Sequence, residues 1–295
     1  MTAFIFGLGH SSLEFIRLHG ASYGPLAGTV RGPHKAARIA ADGLVAPMLF
    51  GPDMRDDAIA PALAEARYVL VSIPPGETGD PVLKAFGREI AVAPRLERIV
   101  YLSTIGVYGD HAGAWIDETT TPRPAARRSQ LRLDAEKAWR DCADARGCAL
   151  DILRLAGIYG PGRNQLASLA AGTAKRLIKP GQVFNRIHVT DIAHAIHACF
   201  IGGKPGAIYN VTDDEPAPPQ DVVTFAAGLL GISPPPEQDF ATAELTSMAR
   251  SFYGENKRVS NARLKRDLAL ALTFPTYREG LRALLAEGEG RAPAG

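Results

Sequence analysis

The stretch Ala3-Phe4-Ile5-Phe6-Gly7-Leu8-Gly9-His10-Ser11-Ser12, running into the helix-like Leu13–Leu18, decides how this chain is read. A strand-length apolar run ends at a glycine pair, and an amphipathic segment follows at once. Glycine at the first two positions of the pattern allows a tight turn and lets backbone approach a pyrophosphate. The helix behind it offers free N–H groups and the positive end of its dipole to that anion. The third position is Ser12, still small enough for close helix–strand packing. A plain glycine turn of an α/β protein is the alternative, and the strand–turn–helix context favours the cofactor. Gly7, Leu8, Gly9, His10, Ser11 and Ser12 are therefore expected to touch a dinucleotide.

Beyond this stretch, apolar runs at Ala27–Val30, Leu44–Leu49, Tyr68–Ser72, Arg98–Ser103 and Ala149–Leu153 alternate with helix-length amphipathic segments. Such alternation predicts βαβ units and a parallel sheet, hence an α/β fold. A further strand is expected at Ala207–Val211, and helices at Pro219–Leu230, Thr242–Ser251 and Tyr277–Glu287. The last stretch, Glu287 to Gly295, is small and polar and reads as a frayed tail.

Composition narrows the function classes. The 295 residues are 46% hydrophobic and 22% charged, with a formal net charge of +2. So balanced a charge supports neither a nucleic-acid nor a membrane-surface partner. No apolar run approaches the roughly 18 residues of a membrane span. The three cysteines, Cys142, Cys148 and Cys199, have no metal-ligand spacing and suggest no disulfide framework, so a reduced cytoplasmic setting is expected.

Chains that bind NAD typically place an acidic residue about 20 positions beyond the glycines, where it holds the ribose hydroxyls. Here Arg31 fills that place, with Lys35 and Arg38 behind it. A guanidinium suits a 2′-phosphate and cannot accept from hydroxyls. NADP is therefore expected over NAD, the alternative being a solvated cationic helix face.

Four further pieces make a family visible: Val100-Tyr-Leu-Ser103-Thr104-Ile-Gly-Val107-Tyr108-Gly109, Leu153-Arg154-Leu-Ala-Gly-Ile-Tyr159-Gly160-Pro161-Gly162, Arg186-Ile-His188-Val-Thr-Asp191 and Tyr209-Asn210-Val211. With the glycine loop, their order and spacing resemble the extended short-chain dehydrogenase/reductase family of nucleotide-sugar epimerases and dehydratases. The resemblance implies a Rossmann-type doubly wound parallel sheet with NAD(P) across the carboxyl ends of its strands, and a smaller, mainly helical C-terminal lobe. On that basis residues 1–160 form the nucleotide-binding domain, with 183–215 returning to it. Residues 161–182 and 216–287 would form the substrate lobe, and 288–295 a flexible tail. Ile73, Pro74 and Ser103 would flank the cofactor. Thr104 falls at the family's catalytic Ser/Thr position, although a strand-end threonine serving nearby backbone is an equal alternative. Tyr159, Arg163, Asn164, Arg186 and His188 would face a small-molecule substrate. A homodimer joined through the helix bearing Arg128 is also implied.

The family then expects a tyrosine, three residues, and a lysine. The register set by Arg132-Leu-Asp-Ala135-Glu136 puts Arg128 in the tyrosine place and Arg132 in the lysine place, and no tyrosine occurs between Tyr108 and Tyr159. An arginine, protonated below a pKa of about 12, cannot cycle a proton. Arg132 could still donate to ribose hydroxyls, and Arg128 could clamp an anionic substrate. The alternative is two surface arginines, one paired with Glu136. Tyr108, with a pKa lowered by these cations, is the candidate proton donor. His188, Asp191, His194 and His197 invite a metal, but Asp191 at a helix start and His188 at a strand end have ordinary roles, and no metal is expected. Two functions follow: an NADP-dependent oxidoreductase or epimerase-like enzyme of an atypical branch acting on a small polar or anionic substrate, or a non-catalytic protein that senses NADP or a metabolite through the retained crevice.

Overall fold

The computed structural model describes residues 2–202 and 206–290. Its central sheet has eight strands: β1 (Ala3–Phe6), β2 (Leu26–Val30), β3 (Ala46–Gly51), β4 (Met54–Arg55), β5 (Tyr68–Val71), β6 (Arg98–Thr104), β7 (Ala149–Leu155) and β8 (Ile208–Val211). Their order is β8-β7-β6-β5-β1-β2-β3-β4, parallel throughout except for the antiparallel β3–β4 pair at one edge. The helices are α1 (His10–His19), α2 (Pro33–Ala41), α3 (Ile59–Glu65), α4 (Pro81–Val92), α5 (Arg127–Arg146), α6 (Gln165–Ala170), α7 (Val189–Gly202), α8 (Pro219–Leu230), α9 (Ser247–Phe252), α10 (Ala262–Leu268) and α11 (Tyr277–Ala286).

A parallel sheet covered on both faces sends alternate side chains to opposite layers. In β1, Ala3 and Ile5 join a core with α1, α2 and α7, while Phe4 and Phe6 join one with α3, α4 and α5. β6 repeats the alternation, with Val100 and Leu102 on the first side and Ile99 and Tyr101 on the second. The chain winds from β1 outward to β3, then returns to lay β5 on the other side of β1. Winding reverses between β1 and β5, and their carboxyl ends open the crevice where such sheets take ligands. The doubly wound fold implied by the sequence is the fold observed.

A smaller core gathers Tyr159, Leu166, Val222, Ala226, Tyr277, Leu281 and Leu284 beside α6, α8 and α11. Several expectations need correction here. The helix expected over Thr242–Ser251 begins only at Ser247, because Thr246 caps it, its Oγ1 accepting from Ala249 N at 3.1 Å. Helix α10, assigned to the lobe by sequence, anchors Leu264 in the sheet core beside α7, so the division at 216–287 is interrupted there. The Glu289 carboxylate accepts from Gly162 N at 2.7 Å and from Asn164 Nδ2 at 3.0 Å. The rest of the expected tail, 291–295, lies outside the described residues.

Candidate functional site

The glycine loop is shaped by contacts that leave no room for side chains. Gly7 adopts φ +94°, and a Cβ there would lie 2.9 Å from Ile73 Cγ1. Gly7 N donates to Thr29 Oγ1 at 2.9 Å and Leu8 N to Thr29 O at 2.8 Å, tying the loop to the end of β2. Gly9 is the N-cap of α1 and supplies no side-chain cap, so the first-turn N–H groups lack an intrahelical acceptor. A Cβ at Gly9 would meet nothing within 4 Å, so the space above the helix start is open. Ser11 and Ser12 are buried beneath it, and the Ser12 hydroxyl has no partner among the described residues. Bare donors, an open approach and an unused hydroxyl fit a dinucleotide pyrophosphate. Arg31 stands exposed just beyond β2 and Lys35 is half-buried on α2; among the described residues neither has an ion-pair partner.

From this loop a cleft of about 940 Å³ runs past Ser72, Pro74, Thr104 and Arg132 to Arg163 and Arg186. Thr104 ends β6 and its Oγ1 accepts from Gly106 N at 3.1 Å, capping the short turn Ile105–Tyr108. Arg132, on the cleft wall from α5, donates through Nη1 to Leu102 O at 2.8 Å and to the Tyr101 hydroxyl at 3.3 Å. Arg128 reaches across to α9, donating to Ser251 Oγ at 3.0 Å with its guanidinium 4.5 Å from the Phe252 ring centroid. It therefore joins the two halves of the cleft at their rim. Arg186 donates to Phe184 O at 2.9 Å and Ala217 O at 3.1 Å. Burial pushes its pKa down, which nearby Asp213 opposes, and burial pushes Asp213 up to about 8. Arg163 lines the far end; burial, and after it the Arg163 charge, lowers the pKa of His10.

Glu136 does not pair with Arg132. Its carboxylate accepts from Arg154 Nε at 3.1 Å and Nη2 at 2.7 Å, and from Ser103 Oγ at 2.5 Å, with both charged side chains 4% exposed. Arg154 in turn lies 4.7 Å from the Tyr108 ring centroid. Sequence reading did not find this network, although Arg154 left a signal: it is a charged residue set between Leu153 and Leu155 at the end of β7. A guanidinium flanked by leucines in a buried strand requires a buried carboxylate partner.

Several expected site residues have other employment. Tyr108 is fully buried and donates to Asn210 Oδ1 at 2.8 Å, and burial raises its pKa, opposite to the direction a proton donor needs. Arg154 works against that rise, but desolvation is the larger effect. Ser103 lines the cleft, but its hydroxyl is held by Glu136. Tyr159 donates to Thr276 O at 3.4 Å and its ring fills the space a Gly280 side chain would need, so it is chiefly a packing residue. Asn164 is committed to structure: Oδ1 caps α6 at Ala167 N, and Nδ2 donates to Gly160 O and Glu289. His188 is buried between Tyr159 and Phe274, where its Nδ1 accepts from Thr190 N at 3.2 Å. Burial pushes its pKa down to about 4. Asp191 accepts from Thr273 N and Phe274 N, fixing the chain between α10 and α11. His194 and His197 instead meet His19 on the outer side of the sheet: His19 Nε2 lies 2.9 Å from His194 Nδ1, and His19 stacks on His197 at 4.1 Å. Among the described residues no helix is long and apolar enough to cross a membrane.

Comparison with known proteins agrees with this architecture. Residues 82–212 match the model of the NAD dependent epimerase/dehydratase family. The chain is 29% identical over 221 residues to Protein YeeZ of Escherichia coli K12, covering 72% of this chain and 74% of that one. A solved structure of a functionally unknown conserved protein from Silicibacter pomeroyi DSS is 45% identical, with a TM-score of 0.88 over 98% of this chain and 99% of that one. The fold is also that of UDP-glucuronic acid 4-epimerase from Bacillus cereus, solved with UDP-glucuronic acid and NAD (17% identity, TM-score 0.76, 97% and 98% covered).

Proposed function

We propose that the chain, whose residues 82–212 match the NAD dependent epimerase/dehydratase family, binds NAD(P) along Gly7–Ser12 and a small anionic ligand, of the sugar-nucleotide kind, in the adjoining cleft. The observation that carries this reading is the continuity of one cleft from the bare start of α1 to a wall of arginines, Arg128, Arg132, Arg163 and Arg186. Gly7, Leu8, Gly9 and Ser12 would seat the pyrophosphate, with His10 and Ser11 at the helix start and Ile73 and Pro74 flanking the dinucleotide. Arg31 and Lys35 would favour NADP over NAD. When bound, the nicotinamide supplies or accepts hydride, the chemistry of an oxidoreductase or epimerase-like enzyme. Thr104 would hold the ligand oxygen beside it, and Arg132 the ribose. The atypical feature is the pair of arginines where the family expects tyrosine and lysine.

A second reading, a binding protein without turnover, draws support from one observation. Tyr108 is locked to Asn210, and Arg128 and Arg132 are engaged as donors to Ser251, Leu102 and Tyr101, so the wall nearest Thr104 binds and orients. Titration with NADPH and NADH, followed by nicotinamide fluorescence, tests the shared part. Micromolar binding with NADPH preferred is expected. Clear NADH preference removes the role given to Arg31, and binding of neither removes the cofactor reading. Addition of UDP-glucuronic acid to the NADP-loaded protein, with absorbance followed at 340 nm, then separates turnover from binding alone.

A further inference from the structure

One hydroxyl in the cleft is explained by neither the glycine loop nor the arginines. Ser129 stands in the first turn of α5, 4% exposed, on the wall that also carries Thr104 and Arg132. Its backbone N donates to Ala126 O at 2.9 Å, but its hydroxyl has no hydrogen-bond partner among the described residues. Gly106 shows where that hydroxyl lies. The point a Gly106 Cβ would fill is 2.8 Å from Ser129 Oγ and 3.4 Å from Thr104 Oγ1, so a side chain at 106 would displace the Ser129 hydroxyl. The space left open at Gly106 is bordered by both hydroxyls.

Their proton inventory differs. Thr104 already accepts from Gly106 N, so its own proton is left to donate. The Ser129 hydroxyl is uncommitted. Arg132, three residues on and so on the same helix face, has only Nη1 in hydrogen bonds among the described residues. The carboxylate of this helix, Glu136, is closed off by Arg154 and Ser103. The wall therefore offers two hydroxyl donors and a cation.

We infer that Ser129 and Thr104 form a paired-hydroxyl seat for one oxygen of the cleft ligand, and that this seat selects an oxygen already bearing negative charge, a carboxylate or enolate, over a neutral alcohol. Serine and threonine hydroxyls donate hydrogen bonds but do not release protons near neutrality, and the guanidinium stays charged. A neutral alcohol that must lose a proton finds no base there, whereas an anionic oxygen finds three donors. Ser129 is thus a positioning residue for an acidic ligand. The ligand class rests on the reading of the cleft as a substrate site; the orientation of Ser129 does not.

Two measurements test the inference on the full chain loaded with NADPH. First, Ser129→Cys is treated with methyl methanethiosulfonate and modification is located by mass spectrometry. A thiol that reacts in the native protein and is shielded by UDP-glucuronic acid supports the seat; one that reacts only after denaturation, or that reacts equally with the ligand present, overturns it. Second, UDP-glucuronic acid, UDP-glucose and UDP are titrated into the parent protein, Ser129→Ala and Ser129→Thr. Ser129→Ala is expected to weaken UDP-glucuronic acid about tenfold, the size of one lost hydrogen bond to a charged group. UDP and NADPH should be unchanged, and Ser129→Thr should recover most of the loss. Equal weakening of UDP and UDP-glucuronic acid, or none of either, overturns the assignment. If the parent protein binds none of the three nucleotides, the sugar-nucleotide reading fails, while the thiol measurement still decides whether Ser129 faces the cleft.

Discussion

The two ends of the cleft are made of different material. At the glycine loop the binding surface is backbone: Gly7 at φ +94°, Gly9 without a cap, and N–H groups aimed into open space. At the start of α5 it is side chain, with Thr104, Ser129, Arg128 and Arg132 presented by helix and turn, and a buried Glu136–Arg154–Ser103 network behind them. A backbone surface is fixed by what is missing, since adding a Cβ alters it. A side-chain surface is fixed by partners distant in sequence and fails when one partner is removed. The α5 end should therefore carry the larger stability effects, and the loop end the cleaner effects on binding.

The most damaging substitution is expected to be Glu136→Ala. It strands the Arg154 guanidinium, whose side chain is 4% exposed, without its carboxylate. Breaking one half of a buried pair costs about 3–5 kcal/mol, to be read as a fall in the urea midpoint with unchanged slope. A loss below about 1 kcal/mol would mean that the network behaves like a surface pair. His188 should give a comparable effect through pH. Burial holds its folded pKa near 4, below the ordinary value of 6.5. The stabilising preference for neutral imidazole is thus complete above pH 6.5 and lost as pH falls toward 4, a change on the order of 3 kcal/mol. His19, with its pKa also pushed down to about 4 by burial and by His197 and His194, acts in the same direction. Urea midpoints measured between pH 7.5 and 4.5 should fall, and His188→Gln should flatten the curve. A parallel curve in that variant would assign the acid sensitivity to the His19 cluster alone.

The contrast between the two ends also explains what the sequence could disclose. Gly7, Gly9 and Ser12 are local signals, because a turn of that shape needs those residues whatever surrounds it. The alternation of Phe4 and Phe6 against Ala3 and Ile5 is equally local, and the sheet followed from such runs. Ser129 and Tyr108 are not legible in this way. Tyr108 lies four residues from Thr104, yet its hydroxyl meets Asn210, 102 positions away, and is thereby removed from the cleft. The Ser129 hydroxyl has its place because Gly106 leaves it room, a fact of packing between the turn after β6 and α5. His194 and His197 suggested a shared helix face but gave no hint of His19, 175 residues from His194. Helix α10 was misplaced for the same reason: its anchoring side chain, Leu264, is one leucine whose destination depends on α7.

Within the loop itself the two glycines should separate fold from ligand. Gly7→Ala forces a left-handed φ on a residue with a Cβ and drives it toward Ile73, costing about 1–3 kcal/mol and weakening NADPH as well. Gly9→Ala has extended φ and ψ and open space, so stability should stay within about 0.5 kcal/mol of the parent while NADPH affinity falls as the new methyl enters the cofactor's path. A stable Gly9→Ala that binds NADPH normally would move the pyrophosphate away from this loop.

Arg31→Ala should have the smallest effect and the narrowest one. Arg31 is exposed and holds no ion pair among the described residues, so its removal should leave the urea midpoint unchanged. If it faces a 2′-phosphate, its loss should weaken NADPH by about 1 kcal/mol, roughly fivefold for a solvent-exposed charge pair, and leave NADH untouched. Raising the salt concentration should shrink the NADPH difference between parent and variant, because exposed pairs are screened over about 10 Å at 0.1 M. Equal weakening of NADPH and NADH would place Arg31 against the adenine or ribose common to both, and the choice between the two cofactors would then fall to Lys35, half-buried on the same helix start.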